Sequence, residues 1–575
     1  MLHSRQSTPF AAGRRNGILA NFATVNSSPR LLRLLPTLTL GAVGLFAVLY
    51  FVGAHEGLYA LDDYFYSRYA FQLLHGSFQL GPDPQHLLHD PLHERWLIFG
   101  PVALCYALLG VNIWSTTLWP LLATLACLAL LWAAYRRRHP LVASGAVLLL
   151  GLHYFTLNLT NYLYPDNVNM LACAAAALAL WRGRRSGRPL AWGAVFAGLN
   201  FAALLCKETV VYYAPFYLGL LVLDLRRGRH GTFWLTAFGT GAVLIGGYLG
   251  FYQWQTGDAL YRLHLIEHTN EVLQEGNFLL GNRAALLDRL TLGPPRFFIG
   301  TGLGLALVLA LAGLRPEPQA ATATDDRRFW QGLAFSTLVF YWLGSTSLTH
   351  YNPITLLPRM TTPLLPPLCL AAAYGLADVL STGRRTWFYV LALLALAAFD
   401  RSAAAVLYAG SACVLLGLHL LKRRSGLAAG SGAYAALGLL GLALVLALRP
   451  AHFARKPSVS GHFPQARIIG QYLQAPGSGT VFVDDYLIGN FDFYYGYQVP
   501  PGLQYRRYWA RDSVQLAPRQ PAWLLLNRAT LSNPELTRKL LRYSADSVLQ
   551  WFPQRQLIAQ DGPVELYRVE LTRPE

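Results

Sequence analysis

The sequence predicts an α-helical polytopic membrane protein that ends in a small soluble α/β domain. Of its 575 residues, 54% are hydrophobic and only 13% charged, a balance unlike that of ordinary soluble domains. Up to Leu448, apolar runs of roughly 17 to 25 residues recur, each long enough to cross a hydrocarbon core of about 30 Å. From Arg449 that pattern stops, and Gly479–Asp485 and Ala522–Leu526 read as short buried strands among helices.

The net charge of +18 falls in short clusters between apolar runs. That placement marks topology signals and argues against nucleic-acid binding. Arg14, Arg15, Arg30 and Arg33 precede the first run. Further clusters are Arg136–Arg138, Arg182–Arg188, Arg226–Arg229, Arg327 with Arg328, Arg384 with Arg385, and Lys422–Arg424. The first run is too long for a signal-peptide core and reads as an uncleaved span. This predicts a cytoplasmic N-terminus (1–33), a membrane domain (34–448) and an extracytoplasmic C-terminal domain (449–575), in the cytoplasmic (inner) membrane.

Spans are expected at 34–54, 112–135, 141–158, 165–181, 190–206, 209–225, 232–254, 297–314, 329–347, 360–380, 387–399, 402–421 and 427–448, about thirteen crossings. Leu92–Gly110 reads as an interfacial helix, because a span there would put Arg136–Arg138 on the outer face. Residues 315–326 read as a polar cytoplasmic linker, and the two large outer loops as 55–111 and 255–296. Cys105, Cys127, Cys173, Cys206, Cys369 and Cys413 lie in apolar segments without metal-ligand spacing, as small buried side chains do.

Asp62 and Asp63 follow the first span, where desolvating a carboxylate is costly and marks a functional site. They point about 100° apart on a helix, so one is a candidate general base. The other caps the helix or pairs with Arg68. Asp166, after Pro165, opens a span either as a helix-terminal acid or as a site residue. Lys207 and Glu208 interrupt an apolar stretch, as a mutual ion pair or with the lysine holding a phosphate. His86, His89, His93 and Arg95 lead into the interfacial helix. His264 and His268 recur at i, i+4 with no carboxylate to complete a zinc site, which leaves phosphate contact or solvated surface. His350 and Arg359 border a proline-rich span, the arginine binding an anionic headgroup or snorkelling. Tyr66, Arg68, His264, His268 and His350 are the candidate substrate contacts.

Taken in order, several patterns coincide: the acidic pair, Tyr69-Ala-Phe-Gln-Leu-Leu-His-Gly76, the Pro91–Gly110 segment ending Leu108-Leu109-Gly110, Asp166 opening a span, Lys207, and the span carrying Arg359 and Pro366. Together they resemble the C-type (GT-C) polyprenyl-phosphate-sugar glycosyltransferases, in the superfamily of protein O-mannosyltransferases and lipid A aminoarabinose transferases. That family's usual acidic pair is Asp-Glu; here it is Asp62-Asp63. The resemblance implies juxtamembrane helices in the first outer loop and a soluble C-terminal domain. It also implies a polyprenyl-phosphate-linked sugar as donor and a lipid, glycan or protein hydroxyl as acceptor. Asp62 would take the acceptor proton, with Asp166 orienting acceptor or sugar. Lys207, Arg359, Arg95 and His89 would stabilise the departing phosphate, with no metal or other cofactor. Two other classes fit parts of the pattern: an O-antigen ligase or polymerase using diphosphate-linked glycans, which does not call for the acidic pair, and a polyprenyl-lipid transporter, which would place its charges near mid-membrane.

Overall fold

The computed structural model describes residues 29–58, 61–80, 92–273, 283–312, 321–347, 351–425, 431–455, 461–474, 479–513, 520–533 and 541–570. Helix α1 (Pro29–Gly53) is the first span. Two short helices follow, α2 (Leu61–Leu74) and α3 (Trp96–Leu109), and then α4 (Ile113–Tyr135). Asn112 starts α4 because its side chain accepts from the backbone of Trp114 and Ser115, and the Ser115 hydroxyl accepts from the Asn112 backbone in return. This reciprocal cap satisfies donors that a helix start leaves open.

At 14 residues, α3 is about 21 Å long and too short to cross a hydrocarbon core of about 30 Å. It buries Ile98, Phe99, Val102 and Tyr106 against Phe65, Tyr66 and Tyr69 of α2, and exposes Leu104, Leu108 and Leu109. The first loop therefore carries two stacked helices beside the bundle.

Among the described residues eight helices are long and apolar enough to span, or ten spans exist if each of two bent pairs counts as one. The expected thirteen are not reached on this measure. Pro140–Gly151 and Tyr154–Asn161 meet at 63°, and Gly293–Gly300 and Gly304–Leu311 at 103°. Gly302, at φ +93°, occupies the second corner, in the left-handed region that costs glycine little. Thr386–Phe399 has only 14 residues. The linker reading of 315–326 is also corrected, since a helix runs over Ala321–Leu343. Its first turns stay ordered because Asp326 and Arg327 are buried in ion pairs with Arg185 and Asp378.

The bundle continues through α5 (Asp166–Gly183), α6 (Pro189–Cys206), α7 (Tyr261–Leu273), α8 (Leu365–Thr382) and α9 (Gly432–Ala454). Helix α8 lies in the centre, buried along almost its whole length. At Gly375 a β-carbon would fall 2.1 Å from the carbonyl oxygen of Leu309, so any side chain there would force the two helices apart.

The C-terminal domain is a five-stranded sheet in the order β2-β1-β3-β5-β4, with β1 Gly479–Val483, β2 Leu503–Arg507, β3 Ala522–Asn527, β4 Arg555–Asp561 and β5 Val564–Val569. β1 pairs in parallel with β2 and β3; β5 is antiparallel to β3 and β4. Alternation along β1 and β3 sends Val481, Val483 and Leu525 to a core with Ile468 and Ile469, and Phe482, Leu524 and Leu526 to one with Val548 and Phe552. The sheet is thus covered on both faces, the three-layer arrangement of an α/β domain. The loop after β1 returns to the membrane domain: Arg68 donates to the Gly489 carbonyl, and the Tyr497 hydroxyl donates to Ser67 Oγ at 2.6 Å. Asp484, at the buried end of β1, has its carboxyl pushed up to about 7 by burial, against backbone hydrogen bonds from Leu487 and Tyr486.

Candidate active site

The first turn of α2 presents both members of the acidic pair, and the helix turns them to different tasks. Asp63 is fully buried, and its Oδ1 accepts from the backbone N–H of Leu163 at 2.7 Å. It thereby ties α2 to the segment before α5 and fixes the neighbouring Tyr164. Asp62 remains 26% exposed, and its Oδ2 meets Arg359 Nη1 at 2.8 Å. The Arg359 guanidinium lies over the Tyr164 ring at 4.9 Å. Burial by itself would raise the Asp62 carboxyl. The charge and hydrogen bond of Arg359, with Arg95 and Lys207 acting through space, outweigh it and hold the carboxyl below its ordinary value.

A second pair stands next to the first. Pro165 and Asp166 open α5, and Lys207 directly follows the last residue of α6. Lys207 Nζ donates to Asp166 Oδ1 at 2.8 Å, with side chains only 4% and 1% exposed. Burial pushes the Lys207 amine down, against the pull of Asp166 and with the like charges of Arg359 and Arg95 adding to it. Asp166 Oδ2 has no hydrogen-bond partner.

Lys207 and Glu208 thus do not form a closed pair. Glu208 receives Arg95 Nη2 at 3.1 and 3.4 Å and Arg262 Nη2 at 3.0 Å. Arg95 also donates to the Tyr66 hydroxyl at 2.9 Å and lies 3.4 Å from Glu94. Glu94 is fully buried; burial raises its carboxyl, opposed by Arg95 and Arg262. Neither of its oxygens has a hydrogen bond.

Asp62, Asp63, Asp166, Lys207, Arg359, Arg95 and Tyr66 therefore converge from five separate stretches of chain. The other candidate contacts lie apart from this cluster. Arg68, expected as a substrate contact, engages the C-terminal domain through Gly489. His264 sits 66% exposed and paired with Asp258 at 2.7 Å, and His268 is exposed too. On α7 they lie about 200° and 240° round from Arg262, which is the residue of that helix facing the cluster. His93 stacks on Tyr69 at 5.3 Å and is held down to about 4 by burial. His89 and His350 lie outside the described residues. Glu94, Arg262 and Tyr164 escaped the sequence reading. The charged triplet His93-Glu94-Arg95 ahead of an apolar helix was the available signal for the first of them. Among the described residues no group of three or more His, Cys, Asp or Glu is arranged to hold a metal.

A bundle of spans, two short helices in the first loop, a C-terminal α/β domain docked on them and an acid–cation cluster make up the fold and its candidate site. Residues 90–246 match the family described as dolichyl-phosphate-mannose-protein mannosyltransferase. The fold is similar to that of ArnT from Cupriavidus metallidurans bound to undecaprenyl phosphate, with a TM-score of 0.52 and 16% identity over 94% of this chain and 99% of that one. The apo form of the same protein gives 0.51 and 17% over the same shares. None of the curated proteins matches this chain in sequence.

Proposed function

We propose that the protein moves a sugar from a polyprenyl-phosphate donor to an acceptor hydroxyl of a lipid, glycan or protein, at the outer face of the cytoplasmic membrane, with inversion at the anomeric carbon. The observation that carries this reading is a partly exposed Asp62 carboxylate paired with Arg359 beside Lys207 and Arg95. The likeness in fold to a protein bound to undecaprenyl phosphate supports the donor class, and the placement of the basic clusters supports the outer face.

In the reaction the acceptor oxygen forms a bond to the anomeric carbon while its proton passes to Asp62. The bond from that carbon to the phosphate oxygen breaks, and polyprenyl phosphate departs with the electron pair. A phosphate whose second pKa is about 6 needs little protonation to leave. It gains most from fixed cations placed where charge develops, the role of Lys207, Arg359 and Arg95. No step is routed through a metal.

The Asp62–Arg359 bond adds a feature to this scheme. While the guanidinium engages Asp62, the carboxylate is a weak base. A donor phosphate competes for the same guanidinium, and as it does so the basicity of Asp62 rises. The donor thereby readies the base.

The test incubates purified protein and Asp62→Asn with a panel of polyprenyl-phosphate sugars and a membrane extract, with free polyprenyl phosphate measured by mass spectrometry. Release that requires Asp62 and one particular sugar supports the proposal and names the donor. Release of polyprenyl diphosphate, or none from any donor, would falsify it.

A further inference from the structure

A mostly apolar cavity with two polar side chains lies apart from the cluster around Asp62. His153, at the corner between Pro140–Gly151 and Tyr154–Asn161, and Arg449, near the end of α9, line it together with Leu303, Leu407 and Leu446. None of Arg95, Lys207 and Arg359 lines it. His153 is 92% buried, by its 8% exposure, and neither ring nitrogen has a hydrogen-bond partner. Arg449 donates from Nη1 to the Thr301 carbonyl at 3.0 Å, and its guanidinium lies over Tyr154 at 5.0 Å and Phe155 at 5.2 Å. Its Nε is buried without a partner. Asp400 is within electrostatic reach of Arg449, but its two oxygens accept from the backbone and hydroxyl of Ser402.

Buried polar groups are normally hydrogen-bonded, so three unmet nitrogens around one cavity call for a ligand. A guanidinium only donates, and a neutral imidazole offers one N–H beside one acceptor nitrogen, so the unmet groups are mainly donors. The missing group therefore brings acceptor oxygens, and the positive charge and fork geometry of arginine select an anion of the phosphate type. Most of the remaining wall is aliphatic, and Leu444 and Leu448 on the same helix are exposed, so an apolar chain beside the anion is accommodated. The two aromatic rings fix the plane of the guanidinium, which leaves its open edge oriented before anything binds.

We propose that this cavity holds the phosphate of a membrane phospholipid, as a resident lipid separate from the glycosyl donor. The site requires neither a sugar nor a polyprenyl chain and stands independently of the proposed reaction.

The full chain is reconstituted in nanodiscs of phosphatidylcholine and phosphatidylglycerol, extracted and washed in detergent, and weighed by native mass spectrometry. The native protein is expected to retain one phosphatidylglycerol. Arg449→Gln should lower its occupancy about tenfold, the effect of losing one charge-assisted hydrogen bond, and His153→Phe should lower it by a smaller factor. Arg455→Gln, at an exposed position just past the helix, should leave it unchanged. Equal retention by the native protein and a folded Arg449→Gln overturns the proposal. Should that variant not fold, His153→Phe gives the reading, and undiminished retention overturns it equally. Displacement of the lipid by inorganic phosphate alone would assign the site to free phosphate and overturn the lipid assignment.

Discussion

The two ends of helix α5 carry ion pairs of very different character. At its start are Asp166 with Lys207, Asp62 with Arg359, and Glu208 shared by Arg95 and Arg262. Just past its end, Arg184 grips Asp224 through two nitrogens at 3.0 and 2.6 Å, and Trp234 adds a third hydrogen bond at 3.0 Å. There Trp181 and Arg185 likewise converge on Asp326. The Asp224 carboxylate is saturated. At the other end Asp166 Oδ2 and both oxygens of Glu94 have no hydrogen bond. Saturated pairs hold helices together, whereas unsaturated buried ones keep capacity for something that arrives later. The contrast separates saturated from unsaturated charge at the two ends of one helix.

The sharpest way to break this comparison is at Asp62. Asp62→Asn should cut transfer by about 10²–10⁴-fold, the range for loss of a general base, with retention of donor on the purified protein little changed. Its mirror at the other end is Asp224→Ala, which removes a buried carboxylate and leaves the partly exposed Arg184 and the Trp234 N–H without their acceptor. That change should cost about 3–5 kcal/mol of stability, read as a lower melting temperature in detergent, with kcat/KM of the surviving folded protein unaltered. Equal losses of activity from both substitutions would dissolve the distinction.

Smaller effects sharpen it. Lys207→Ala should raise the apparent KM for donor by about tenfold, as loss of one charge-assisted contact does, with the acceptor KM unchanged. Arg359→Gln removes the charge that holds Asp62 low. Burial then acts unopposed by that arginine, the carboxyl rises, and the acid limb of the kcat/KM profile should move to higher pH by about 1–3 pH units. An acid limb that stays in place would show that Arg359 does not tune Asp62.

Much of this arrangement is legible in the sequence. Asp62, Asp166, Lys207 and Arg359 each stand at the border of an apolar run, where a charge is costly enough to be noticed. Their partnerships are not legible, because Arg359 lies 297 residues from Asp62 and no local pattern spans that distance. Arg262 is illegible for a related reason: its helix has a polar exposed face bearing His264 and His268, and no local pattern says that the arginine turns inward. The two bent spans escaped because hydropathy counts residues and does not register a corner. In the C-terminal domain β1 and β3 were readable as buried apolar runs. β4 was not, since it exposes Leu557 and Ile558. The hairpin it forms with β5 still left a signal in Asp561-Gly562, where Asp561 pairs with Val564 and Gly562 takes φ +53°.

Helix α2 bears Asp62 on its first turn and, five and six residues on, Ser67 and Arg68, which fasten the C-terminal domain. That separation is about 8–9 Å along the axis, which makes the helix a short lever with the carboxylate at one tip and the domain at the other. Catalytic groups tolerate misplacement of about 0.5 Å, so rocking of the domain by a few degrees about that joint is enough to move the carboxylate in or out of register. Under the proposed reaction, one short helix thereby couples the C-terminal domain to the base.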